Sequence, residues 1–155
     1  MQSKHLLRFL ILATGLTLCA CGRQKIYSHF EHISDTCWEK VDTIDFFVSP
    51  VAESGTYQEA LELRIDNTFP FQSLAMEITQ TIIPEGRNEQ FNKICAIIDQ
   101  NGKMIGAGVS LFQYTLPYND IKLNHGDSLH ITVVHSMKRE IMPGIIDVGI
   151  TLTKE

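Results

Sequence analysis

Apolar and polar residues alternate one by one in several short segments of this chain. In residues 57–66, Leu61, Leu63 and Ile65 fall on one side and the charged residues between them fall on the other. A period of two is typical of a β-strand that buries one face. The segments that show this alternation, each predicted to be a strand, are residues 42–48, 57–66, 74–82, 129–134 and 146–153.

The middle of the chain has a different pattern. Residues 91–98 are apolar on both faces, which indicates a strand in the centre of a sheet. Asn101-Gly102 then predicts a hairpin turn, because this pair tolerates positive φ. The chain returns in residues 104–114, where two glycines indicate a bulge or close packing. Residues 117–126 are polar and are predicted to form a connection.

These segments define the expected fold. They amount to roughly seven or eight short strands with turn residues between them, which is typical of an all-β protein, an antiparallel β-sandwich. The sequence has no convincing long amphipathic helix and no internal repeat. We expect one domain over residues 26–155. It lacks the immunoglobulin cysteine pattern, because Cys37 directly precedes Trp38.

The N-terminus carries a targeting signal. Lys4 and Arg8 flank the start of the apolar run Phe9–Leu18, and a small residue, Ala20, stands directly before Cys21. This pattern predicts a bacterial signal peptide that is cut before a cysteine to which lipid is attached. A membrane-spanning helix is disfavoured, since the run is about half the roughly 20 residues that a span needs.

The predicted cleavage divides the chain into three parts. Residues 1–20 are the lipoprotein signal peptide, residues 21–25 are a lipidated tether, and the β-sandwich follows. Cys19 is a poorer lipid acceptor than Cys21, because no small residue precedes it. No aspartate follows Cys21, so the familiar inner-membrane retention signal is missing. We therefore expect a lipid-anchored protein of the cell envelope, on the periplasmic face of the outer membrane.

Charge narrows the class of partner. The full chain has 13 basic and 18 acidic residues, giving a formal net charge of −5. Removal of Lys4 and Arg8 with the signal leaves 11 basic residues, so the mature charge is 11 − 18 = −7. An acidic chain without a basic cluster is not expected to bind nucleic acid. The expected partners are the membrane and other envelope proteins.

Two cysteines remain in the mature domain, Cys37 and Cys95. The compartment outside the cytoplasm permits a disulfide between them. The alternative is a pair of buried thiols that pack as small apolar side chains. The sequence leaves both alternatives open, because it does not give the distance between the two α-carbons.

Candidate chemistry is sparse. His29 and His32 have a spacing that would point them to opposite faces of a strand, so no metal site and no cofactor are expected. Glu59 and Glu62 are also at an odd spacing and are predicted to lie on solvated faces. The chain has no Gly-x-Ser-x-Gly elbow and no phosphate-binding loop. We therefore predict no catalytic residues and no enzyme activity.

Aromatic residues are the remaining candidates for contacts. Trp38, Phe69 and Phe71 are predicted either to contact a partner protein or to close one end of the core. If the domain instead binds carbohydrate, Trp38, Tyr114 and Tyr118 are the residues expected to stack on sugars. Carbohydrate binding is the alternative to a protein-interaction function.

Several of these segments, in this order, carry a resemblance to a known family, the gliding motility lipoprotein GldH family of Bacteroidetes-type bacteria. The segments are the lipid-attachment motif at Cys21, Cys37-Trp38, residues 63–74, residues 98–108, and Met137-Lys138-Arg139 with residues 143–150. The chain departs from the family where Phe69 and Phe71 replace common tyrosines and Met104 replaces a common tryptophan.

The resemblance implies a function. It implies a lipoprotein component required for gliding on surfaces, in association with the type IX secretion apparatus, and it brings no catalytic residues. The family also occurs in species that do not glide. We expect a non-enzymatic protein-interaction component of the envelope.

Overall fold

The computed structural model describes residues 23–34 and 37–155. The signal peptide and Cys21 lie outside the described residues. Within them the chain forms eleven strands: β1 (Gln24–His32), β2 (Cys37–Glu39), β3 (Ile44–Val48), β4 (Gly55–Asp66), β5 (Ser73–Ile83), β6 (Arg87–Ala96), β7 (Ala107–Gly108), β8 (Leu111–Leu123), β9 (Ser128–His135), β10 (Ile141–Pro143) and β11 (Ile145–Lys154). Three have only two or three residues, so 11 − 3 = 8 longer strands match the expected number.

The strands form two main sheets. One has five strands in the order β1-β11-β4-β8-β7, and the other has four in the order β3-β9-β5-β6. A ribbon of β2 and β10 lies beside them, and every strand pair is antiparallel. The predicted antiparallel β-sandwich is confirmed.

The core lies between the sheets, where the alternation places it. On β4, Leu61, Leu63 and Ile65 are fully buried, as the pattern predicts. On β3, the residues with the predicted parity, Ile44, Phe46 and Val48, are also buried. Removing these apolar side chains from water is the main favourable contribution to folding.

The prediction of a central strand in residues 91–98 is wrong. The strand in this region, β6, pairs only with β5 and forms the edge of the four-stranded sheet. Its outward residue Ile94 is 70% exposed, whereas Cys95 is buried. An apolar residue on each face made the segment look buried on both, although one face meets solvent.

The segment after this strand also differs from the prediction. The expected hairpin at Asn101-Gly102 reduces to one bridge between Ile98 and Met104, although Gly102 has the expected positive φ of 80°. Gly106 does mark close packing, since a Cβ added there would lie 2.6 Å from the Tyr114 ring.

The predicted connection over residues 117–126 is mostly strand. β8 continues to Leu123, and a bulge at Tyr118 shifts its register against β4. Before the bulge the inward residues of β8 are even-numbered, as Tyr114 is, whereas after it the buried residues are Ile121 and Leu123. The bulge therefore shifts the alternation by one residue.

The sandwich has two ends. Strand β1 begins at one of them, where Gln24 pairs with Lys154 and Gly55 pairs with Leu123. We call this the anchor end, because Cys21 lies three residues before Gln24. The opposite or far end contains the β4–β5, β6–β7 and β9–β10 loops and the β2–β10 ribbon.

Candidate functional site

Three segments that carry the family resemblance meet at the far end. On the ribbon, Trp38 pairs with Met142 and Cys37 pairs with Pro143. The next residue, Gly144, has a φ of +81°, and a Cβ added to it would lie 2.5 Å from the backbone nitrogen of Phe69. The Cys-Trp, Phe-Pro-Phe and Pro-Gly segments therefore form one structural unit.

The aromatic residues of this unit close the core. Trp38 is fully buried, donates a hydrogen bond of 3.0 Å from Nε1 to the carbonyl of Asp42, and lies edge-on to His135. Phe69 is 3% exposed and packs edge-to-face on the partly buried Phe71. Of the two roles predicted for these residues, Trp38 and Phe69 have the second, since both are buried and close one end of the core. Phe71 keeps some accessible surface.

The carbohydrate alternative loses the residues proposed for it. Tyr114 and Tyr118 are buried, as Trp38 is. The Tyr114 hydroxyl donates to the carbonyl of Ile97 at 3.0 Å, and the Tyr118 hydroxyl donates to Gln80 Oε1 at 3.4 Å. Both hydroxyls are therefore used inside the protein.

The two cysteines are free thiols and are not bridged. Cys37 is half-buried on the ribbon, whereas Cys95 is buried on β6 in the four-stranded sheet. Burial raises the pKa of the Cys95 thiol to about 11. Of the two alternatives that the sequence left open, the structure has the unbridged thiols.

The far end exposes apolar side chains. The side chain of Val41, in the turn after β2, is 79% exposed, and that of Ile141, on β10 of the ribbon, is 46% exposed. The two segments are joined by a hydrogen bond from the backbone nitrogen of Lys40 to the carbonyl of Glu140. Ile105 and Val109, in and near the loop before β8, are 53% and 90% exposed. Two pairs of apolar side chains, Val41 with Ile141 and Ile105 with Val109, are therefore exposed to solvent at the far end.

A buried polar cluster joins the two sheets. Glu59 on β4 is fully buried, and its Oε2 accepts hydrogen bonds from Gln80 at 3.2 Å and Asn119 at 2.8 Å. Its Oε1 has no hydrogen-bond partner among the described residues. Burial is the main cause that raises the Glu59 pKa to about 7, and the nearby Glu89 contributes. The prediction of a solvated Glu59 is wrong, because the inward face of β4 includes this position.

Glu62 is buried too, on the opposite face of β4. Thr115 on β8 donates a hydrogen bond of 2.7 Å to its Oε2, and Thr151 on β11 donates one of 3.4 Å to its Oε1. Neighbouring strands thus cover a position that the alternation alone predicted to be solvated. Glu59 and Glu62 do not come together in one site.

The histidines do not form a shared site. His29 Nε2 lies 2.7 Å from Glu31, and His32 Nδ1 lies 2.9 Å from Asp147. His135 is buried, and its pKa is lowered chiefly by loss of hydration. In the part of the chain that the structure describes, no group of three or more His, Cys, Asp or Glu side chains is placed to hold a metal ion.

One surface feature was missed by the sequence interpretation. Phe47 is 68% exposed on β3 and stacks on His130 of β9, with ring centroids 4.5 Å apart and planes 3° from parallel. The sequence did contain a sign of this feature, since Phe47 is an apolar residue at an outward position of an alternating strand.

No helix within the described ranges is long and apolar enough to cross a membrane.

Comparison with solved structures finds distant likenesses. A family 35 carbohydrate-binding module from Clostridium thermocellum has 16% identity and a TM-score of 0.42, over 83% of this chain and 90% of that one. A protein from Sulfurospirillum deleyianum has 13% identity and a TM-score of 0.44, over 83% and 98%. Murine APRIL has 10% identity and a TM-score of 0.40, over 83% and 97%. These likenesses carry no argument about function.

Comparison with families is informative. No curated protein matches the chain. The family model described as GldH lipoprotein matches residues 25–152, which is nearly the whole sandwich. The match includes the far-end unit of Trp38, Phe69 and Gly144, where three of the segments that carry the resemblance meet. The chain belongs to the GldH lipoprotein family.

Proposed function

We propose that this protein is a non-enzymatic envelope lipoprotein whose sandwich binds other envelope proteins linked to gliding or type IX secretion. The observation that carries the proposal is the position of the exposed apolar residues. Val41, Ile105, Val109 and Ile141 belong to the far end, opposite the start of β1. Exposed apolar surface of this kind is typical of protein-binding sites.

The short connection to the lipid supports this arrangement. Only Gly22 and Arg23 stand between Cys21 and Gln24, where β1 begins, so three extended residue steps reach only about 10 Å. With acyl groups on Cys21, the anchor end would lie close to the membrane and the far end would point away from it. Confinement to a membrane plane would also raise the effective concentration toward neighbouring envelope proteins.

Cross-linking in living cells tests the interaction. A photoreactive residue at Val109 or Val41 is expected to capture envelope proteins. The same residue at His125, an exposed position in the β8–β9 turn of the anchor end, is the matched control and is expected to capture none of them. Capture that is equal at all three positions, or absent at both far-end positions, would overturn the proposal.

The membrane assignment has its own test. We propose that Cys21 carries the lipid and that the protein faces the periplasm from the outer membrane. Mass spectrometry of the membrane-bound protein should find acyl groups on Cys21, and separation of the two membranes by density should place it in the outer one. A Cys21→Ser variant should leave the membrane fraction; if it stays there unchanged, this anchor is the wrong one.

A further inference from the structure

The outward face of the four-stranded sheet is almost free of charge. Side chains from β3, β9, β5 and β6 form it, and its ionisable residues are Asp45, Glu77 and His130. Asp45 accepts a hydrogen bond of 2.7 Å from His130, so these two side chains are partners of each other. No lysine or arginine belongs to this face, although 20% of the chain is charged.

Hydrogen-bonding side chains cross this face in rows. The strand register puts Phe47, His130, Thr81 and Asn88 side by side across all four strands. The next row, two residues along each strand, consists of Asp45, Thr132, Thr79 and Gln90. Because neighbouring strands lie about 4.8 Å apart, each row extends for roughly 14 Å.

The side chains at the two edges of this face differ in chemical type. At the β3 edge, Phe47 presents an exposed ring, one side of which is supported by the stacked His130 ring. At the β6 edge, Asn88 and Gln90 are exposed amides that can both donate and accept hydrogen bonds. The Thr81 hydroxyl donates to Asn88 Oδ1 at 2.6 Å, which fixes the orientation of that amide.

The five-stranded sheet differs in its outward chemistry. There Arg64 lies 3.3 Å from Asp147, which also bonds His32, and the Arg64 guanidinium packs over the Phe30 ring. Partly exposed ion pairs of this kind are ordinary for a solvated sheet. Among the described residues, the outward face of the four-stranded sheet has no ion pair that involves lysine or arginine, and its charged pair is that of His130 with Asp45. The scarcity of charge is therefore a property of that face and not of the whole fold.

We propose that the outward face of the four-stranded sheet binds a neutral polysaccharide. Threonine hydroxyls and asparagine and glutamine amides suit the hydroxyl groups of a sugar, since each can donate and accept. The exposed ring of Phe47 gives an apolar surface for the C–H face of a sugar ring. A nucleic acid or an anionic membrane would need basic residues, which this face lacks.

Electrophoresis in native gels that contain polysaccharide tests the proposal. The full-length lipoprotein, kept in a non-ionic detergent without a sugar head group, is run through gels with dextran, laminarin, xylan or galactomannan. At least one of these neutral polymers is expected to reduce its mobility several-fold relative to a reference protein. Polygalacturonate, an acidic polymer, is expected to cause no retardation.

Variants assign the binding to this face. Phe47→Ala should abolish most of the retardation, and Asn88→Ala and Gln90→Ala should each reduce it by at least half. Val109→Ala, which removes an exposed apolar residue at the far end, is the matched control and should leave the retardation unchanged. Circular dichroism checks that each variant is folded. Absence of retardation in all four neutral polymers, or retardation that survives in Phe47→Ala, would overturn the proposal.

Discussion

Glu59 and Gln80 link the two sheets through the core, since the Gln80 amide on β5 donates a hydrogen bond of 3.2 Å to the Glu59 carboxylate on β4. The same amide nitrogen also donates to Glu89 at 2.9 Å. Both Glu59 and Gln80 are fully buried. Burial keeps water away from the Glu59 carboxylate and so disfavours its ionised form, which raises the pKa of Glu59 to about 7.

The first prediction concerns pH and stability. Glu59 keeps its proton up to about pH 7 in the folded state, whereas its ordinary value is 4.5. Its contribution to stability is therefore complete below that ordinary value and is lost as the pH rises through about 7. Urea denaturation at about pH 5 and pH 8 should show the free energy of unfolding fall by up to about 3 kcal/mol from this group.

A Glu59→Gln variant isolates this contribution. It keeps the shape of the side chain but does not titrate, so its stability should depend less on pH than that of the wild type. Glu89 and Tyr118, the other titratable groups that face Glu59, are common to both proteins. Equal pH dependence in the two proteins would contradict the assignment.

The second prediction concerns Gly144. Its φ of +81° disfavours any other residue, and an added Cβ would also lie 2.5 Å from the Phe69 nitrogen. Gly126 has a similar φ of +91° with no atom within 4 Å of an added Cβ. Gly126→Ala should therefore cost about 1–2 kcal/mol for the backbone alone, and Gly144→Ala about 3 kcal/mol or more. Thermal denaturation of the two variants measures the difference, and equal losses would show that the contact with Phe69 is unimportant.

The third prediction compares two aromatic residues. Trp38→Ala should cost about 3–5 kcal/mol of stability, because it leaves a cavity in the core and removes the hydrogen bond to the Asp42 carbonyl. Phe47→Ala should change stability by only about 0.5 kcal/mol, because the ring is largely exposed. Chemical denaturation of both variants gives the comparison, and a large loss for Phe47→Ala would mean that its ring supports the fold.

The fourth prediction concerns the thiols. In a Cys21→Ser variant without the signal peptide, a thiol-specific reagent should label Cys37 readily in the folded protein. Cys95 should be labelled slowly, because it is buried and its thiol pKa is raised to about 11. Both should react after unfolding in denaturant, whereas an oxidised pair would release no thiol until a reductant is added.

The alternation of apolar and polar residues predicted the apolar side chains of the core correctly, but it did not show which polar side chains are also buried. On β4 it identified Leu61, Leu63 and Ile65 correctly, because a period of two fixes which side chains share a face. The alternation in fact places Glu59 on the same inward side as Leu61, so the solvated position predicted for Glu59 conflicted with it. Glu62 lies on the other side of β4, and its burial depends on neighbouring strands that are far away in the sequence. For Trp38, which was predicted to contact a partner or to close the core, the pairing of β2 with β10 shows the second role.

Local patterns were enough to predict short strands with one apolar face, tight turns at glycines such as Gly102, and an acceptor cysteine at position 21. The pairing of distant strands was needed to show that β6 is an edge strand, that Phe47 stacks on His130 in the open, and that Trp38 is enclosed. This difference arises because periodicity is set by the local backbone, whereas burial is set by which strands pair across long stretches of chain.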